Sequence, residues 1–243
     1  DRKPFYLHLC HNAPHFPLQA PAEEIAKFRG KYKAGWDVLR EARIQRQHAL
    51  GIVERSWKPA PRPETIAAWD SLSEEQKDRF DHIMAVYAAV VHRMDKAMGD
   101  LVEGLQKRGV LENTLILFMS DNGGNAESGP LGKDEGDPSK AQSQWFCGES
   151  WAWMENAPLR RYKHFNHEGG IATPLIAHWP AAITSGVAGR LNHTPAHLVD
   201  ILATCVDVSG ALYPKENAGK SVLPAEGVSL KPLLLSGTAA LAE

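Results

Sequence analysis

Apolar residues recur at intervals of three and four from Phe80 to Leu105: Phe80, Ile83, Met84, Tyr87, Val90, Val91, Met94, Met98, Leu101, Val102 and Leu105. That spacing predicts one long helix with a single buried stripe, from about Ser73 to Arg108. Ser71 with Glu74, or Ser73 with Gln76, has capping-box spacing, and Gly109 is a natural stop. The pattern then changes. "NTLILFMS" (Asn113 to Ser120) is a continuous apolar run without alternation, the signature of a central parallel strand covered on both faces. A second such run, Thr173 to His178, lies in "GGIATPLIAHWP" and is ended by Pro180. "PFYLHL" (Pro4 to Leu9) also reads as a core strand, followed by a proline-punctuated loop to Pro21. Further helices are predicted from Pro21 to Gly30, over "GWDVLREARIQRQHALGIV", and from a Thr194 N-cap with Pro195 to Val208. "SWKPAPRPET" is a linker by its prolines, and Gly123 to Met154, with little hydrophobic period, reads as a long loop. Helix, short loop and buried strand in succession predict an α/β fold, in which ligands sit beyond the carboxyl ends of strands.

Composition narrows the function classes. A formal net charge of −2 gives no electrostatic case for nucleic acid or an anionic membrane as partner. No apolar stretch approaches the roughly 20 residues that span a bilayer. Three widely spaced cysteines, Cys10, Cys147 and Cys205, form neither a disulfide framework nor a zinc knuckle.

Four polar clusters are candidates for chemistry. Asp121 and Asn122 directly follow the apolar run, offering hard oxygen ligands that suit calcium or magnesium better than zinc. Gly123 and Gly124 would let the backbone approach a ligand closely, and an Asx turn is the plainer reading. His11 and His15 sit in "HNAPHFP", a stiff loop that suits a positioned acid or an anion contact, or an ordinary solvent-facing histidine. Lys163 lies in "LRRYKHFNHEGG" with Arg160, Arg161, His164 and His167, a cationic cluster able to clamp sulfate or phosphate, or a solvated basic face. His197 and Asp200 share a helix face, where a helix-surface hydrogen bond is the simpler account.

Five blocks, "NAPHFPLQAP", "YAAVVHRMD", "ENTLILFMSDNGG", "APLRRYKHFNHEGGIATPLIAHWP" and "HLVDILATCVDVSG", occur in the order in which they resemble the arylsulfatase-type sulfatases of the alkaline phosphatase superfamily. The resemblance runs from Pro4 to about Gly237. It implies a doubly wound, mostly parallel α/β sheet of alkaline phosphatase type, incomplete here. Residues 1–210 would be the C-terminal part of the catalytic domain, and 211–243 a loop and short apolar segment. It implies one calcium ion held in part by Asp121 and Asn122. His15 would contact the sulfate and help protonate the leaving group, and Lys163 would contact a sulfate oxygen and the bridging oxygen. His167 is counted with them as a substrate contact. Substrate specificity would lie in the Ser128 to Met154 loop. The implied substrate is a sulfated small molecule or sulfated carbohydrate.

The family's formylglycine, made from Cys or Ser in a Cys/Ser-x-Pro-Ser-Arg motif, has no counterpart in this chain, nor do its Asp pair for calcium and its Lys-x-His motif. All normally lie upstream of the block with which this chain begins. The chain is therefore read as part of a longer sulfatase, and inactive alone. Two other readings stay open: a phosphonate or phosphate ester hydrolase of the same superfamily, and a non-catalytic module that binds sulfated glycans.

Overall fold

The structure, a computed structural model, describes residues 3–237. Residues 1–2 and 238–243, the outer ends of the two expected segments, lie outside the described residues. The chain forms two compact units: residues up to 104 together with 122–173, and residues 105–121 together with 174 onwards.

The first unit is built on helices. α1 (Ala22–Ala26) starts after Pro21, and α2 (Gly35–Ala49) follows a run of turns. Gly35 has φ +79, and any Cβ there would collide with the Trp69 ring. α3 (Glu74–Lys107) matches the expected long helix. Its cap is the Ser73–Gln76 box: Gln76 N–H donates to Ser73 Oγ at 3.2 Å, and Ser73 N–H donates to Gln76 Oε1 at 2.9 Å. Phe80, Ile83, Met84 and Val90 are buried as the stripe predicts, whereas Met94, Met98 and Leu101 are only partly so. The centre of the unit is aromatic. Trp36 meets Trp69, Phe80 and Trp151 edge-on, with ring centroids 4.8, 4.9 and 5.6 Å apart. Edge-to-face pairs of this kind add about 0.5–1.5 kcal/mol each beyond area burial.

Two buried charges organise the turns around that core. Asp81 accepts N–H bonds from Gly30 and Tyr32, both at 2.9 Å, and pairs with Arg29. Arg40, stacked over Trp153, donates to the carbonyls of Trp153, Ala60, Pro158 and Leu159. Burial lowers its pKa to about 10.

The expected loop from Gly123 to Met154 is corrected. It contains a hairpin of β2 (Lys133–Glu135) and β3 (Gln144–Phe146), then α4 (Gly148–Glu155). Trp151 and Ala152 are 0% exposed. A helix covered on every side has no polar face, and so carries no amphipathic period to detect. α5 (Glu168–Ile171) completes the unit.

The second unit holds β1 (Ile116–Met119) and β4 (Leu175–His178). They pair with each other antiparallel, Met119 opposite Leu175 and Ile116 opposite His178. The α/β class holds, but the parallel arrangement does not: every pair among the described residues is antiparallel. The chain leaves β1 and re-enters β4 at the same end of the ladder, and only an antiparallel pairing allows that. Neither strand is fully buried, and Ile176 is 61% exposed. Pro4 to Leu9 forms no strand and is exposed, because among the described residues it has no ladder partner.

α6 (Leu198–Ser209) begins at His197 rather than Thr194, through a capping box in which Asp200 accepts the His197 N–H at 2.7 Å. Its two buried residues, Asp200 and Thr204, are polar. Asp200 takes Val228 N–H, Thr204 takes Leu230 N–H, and Asp207 takes Ser229 and Lys231. β5 (Glu216–Asn217), β6 (Lys220–Ser221) and α7 (Lys231–Ser236) follow.

Candidate functional site

His15 sits where two contacts within its own loop fix its ring. Its Nδ1 donates to the Phe16 carbonyl at 2.8 Å, and its ring stacks on Phe16 at 4.3 Å. Phe16 in turn stacks on Phe146 of β3 at 4.4 Å. The loop is fastened to that strand by Leu18 N–H on Trp145 O and by Gln19 Nε2 on Ser143 O, both at 2.9 Å.

Lys163 is placed by the chain on either side of it. Tyr162 before it is buried and donates its hydroxyl to Glu149; burial, with Glu149 second, pushes that phenol up to about 12. The Lys163 N–H donates to Gly124 O at 3.1 Å. Arg161 and His164 both adopt positive φ, +65 and +78, as does Ser128 at +74. Non-glycine residues held there are strained, and such strain clusters at functional sites.

The two loops meet. Lys163 Nζ lies 2.8 Å from His15 Nε2. A carbonyl only accepts and an ammonium only donates, so both contacts require the neutral Nδ1–H tautomer of His15. Glu127 completes the cluster, 3.5 Å from Lys163 Nζ and 3.1 Å from His164 Nε2. Burial pushes the Glu127 carboxyl up, but its own backbone N–H, His164 and Lys163 outweigh this and leave it lowered.

Asn156 joins the same loops from beneath. Its Oδ1 accepts Gly124 N–H and its Nδ2 donates to Arg161 O, both at 3.0 Å. Gly123 N–H donates to Gly170 O at 3.1 Å. A Cβ on Gly123 would overlap Gly169 O, and one on Gly169 would overlap Arg161 O. Gly123 thus serves loop-on-loop packing, with Gly169 on the side where a Cβ would stand.

Of the expected site residues, His15 and Lys163 are brought together. His167 is exposed at the start of α5, with its ring against Phe165 at 6.2 Å. His11 lies 3.4 Å from Met98 Sδ. Asp121 and Asn122 follow β1 at its carboxyl end, Asp121 exposed and Asn122 half-buried. Among the described residues no group of three or more His, Cys, Asp or Glu is arranged to hold a metal ion. Glu127 and Asn156 are not marked by the sequence. A Glu in a Gly- and Ser-rich run and an Asn after a Trp-rich one carry no periodic signal.

Comparison with known proteins identifies the family. The sulfatase family model matches residues 1–211, and the chain belongs to that family. It is 34% identical over 243 residues to an arylsulfatase of Klebsiella aerogenes, covering 95% of this chain and 52% of that protein. It is also 34% identical over 226 residues to an uncharacterized sulfatase of Schizosaccharomyces pombe, covering 86% and 40%. The chain therefore spans about half the length of these relatives. Among solved structures, Ps i-CgsB in complex with k-i-k-neocarrahexaose matches 96% of this chain and 34% of its own, with a TM-score of 0.54 and 25% identity.

Proposed function

We propose that this chain carries the leaving-group side of a sulfuric ester hydrolase, with His15 and Lys163 acting on a sulfate ester. The observation that carries the reading is the 2.8 Å contact between these two residues, 148 positions apart, in a chain of the sulfatase family. A sulfate ester spreads negative charge over its oxygens, and bond cleavage moves charge onto the leaving oxygen. A fixed ammonium beside an imidazole stabilises both. In the tautomer described, the transferable proton sits on Lys163 Nζ and points at His15 Nε2. The pair therefore holds one proton between them, available to the leaving oxygen. His167, farther along the Lys163 loop, is an outer anion contact.

Asp121 and Asn122 offer carboxylate and carboxamide oxygens, a donor set that fits calcium rather than zinc. They are two of the six to eight oxygens that calcium takes, so they would form only part of its site. When bound, the ion would neutralise charge on the sulfate oxygens. No nucleophile is assigned here, since the formylglycine motif has no counterpart in these residues. The substrate is a sulfated small molecule or sulfated carbohydrate; the neocarrahexaose held by Ps i-CgsB supports the carbohydrate.

The test is hydrolysis of an aryl sulfate by the complete active protein. His15→Ala and Lys163→Ala should each lower kcat/KM by on the order of 10²–10³-fold, with the circular dichroism spectrum unchanged. Undiminished turnover in both variants would sink the proposal.

A further inference from the structure

A carboxylate among groups that bind an anion weakens the field the substrate needs, so Glu127 calls for a reason. It lies within ion-pair reach of Lys163 at 3.5 Å and of His164 at 3.1 Å. One of its oxygens, Oε2, is buried and has no hydrogen-bond partner. That oxygen is not open to a substrate hydroxyl, which argues against a role in recognition. The backbone around Glu127 is fixed: its N–H donates to Asn125 Oδ1 at 3.0 Å, and Ser128 holds positive φ. Lys163, by contrast, ends a flexible four-carbon stem whose ammonium must be held to one direction.

We infer that Glu127 is the positioning residue of Lys163, an anchor that restrains the ammonium so that one N–H stays on His15 Nε2. This rests on the sulfatase reading of His15 and Lys163. Glu127 touches neither ester nor leaving group; it acts through the lysine. His164, 66% exposed, takes the same carboxylate from the solvent side and helps keep it in place. The three strained residues flank the two partners of this contact, Ser128 beside Glu127, and Arg161 and His164 around Lys163.

A double-mutant cycle in the complete active protein tests it, with an aryl sulfate as substrate. Glu127→Gln is nearly isosteric and removes the charge. It should lower kcat by on the order of 10²-fold, the scale of a misplaced catalytic group, with KM little changed. Glu127→Asp should recover part of the loss. In a Lys163→Ala background, Glu127→Gln should cost nothing further, because its effect runs through the lysine. An equal loss in both backgrounds would show a general structural role and overturn the inference. So would full kcat in Glu127→Gln while Lys163→Ala is crippled, and that pattern would leave the sulfatase reading standing. A harmless Lys163→Ala would remove both. If Glu127→Gln lowers the melting temperature sharply, Glu127→Asp takes its place in the cycle, where it should show a smaller loss that again disappears without Lys163.

Discussion

Asn156 shows how much one side chain can fix. Its amide spans from Gly124 N–H to Arg161 O, tying the turn after β1 to the strained loop of Lys163. Asn156→Ala should lower stability by about 2 kcal/mol, the cost of leaving two partly buried backbone groups without partners. Urea unfolding would measure it, and a change below the precision of that method would mean that water replaces the amide. His15 and Lys163 were legible in the sequence because each lies in a block whose order along the chain resembles the sulfatases. Asn156 and Glu127 were not. Their importance comes from where two distant loops meet, and nothing in the local run of residues records that meeting. Gly123 has a packing role that the local sequence does not show: its missing side chain accommodates Gly169.

At the level of elements, legibility followed amphipathicity. α3 has a polar side, so its period, its Ser73–Gln76 cap and its Gly109 stop could all be read. α4 has none, being buried throughout except near its end, and its run of residues reads as loop. That end carries Glu155, whose Oε1 is buried without a hydrogen-bond partner. It lines a cavity of about 10 Å³ with Asn125, Cys147 and Tyr87. Burial raises its pKa from 4.5 to about 8, against a smaller lowering by Arg43. The folded chain therefore keeps a proton that the unfolded chain releases between these values. Stability from this group is full below pH 4.5 and is lost as pH rises through about 8. Glu155→Gln should flatten that part of the stability–pH curve and make the variant the more stable form at alkaline pH. Melting temperatures across that range would check it, and an unchanged slope would mean that Glu155 ionises freely. The strands failed differently. Continuous apolar runs marked β1 and β4 correctly as strands, yet pairing direction depends on where the chain returns, which the runs do not encode.

For the molecule as a whole, the two units are interleaved along the chain rather than consecutive, so neither could be outlined from sequence order. The three cysteines, all free, are distributed across them: Cys10 exposed and Cys147 buried in the first unit, Cys205 half-buried in the second. Burial raises the pKa of the Cys147 and Cys205 thiols, leaving less of the reactive thiolate. They amount to a built-in set of clocks. A thiol-specific reagent should modify Cys10 at once, Cys205 more slowly, and Cys147 only when the wall of its cavity opens. Mass spectrometry of labelling at rising urea would then read each unit separately. Parallel acceleration at Cys147 and Cys205 means that the interleaved units melt together, and an early rise at Cys205 alone means that the second unit opens while the aromatic core stays shut.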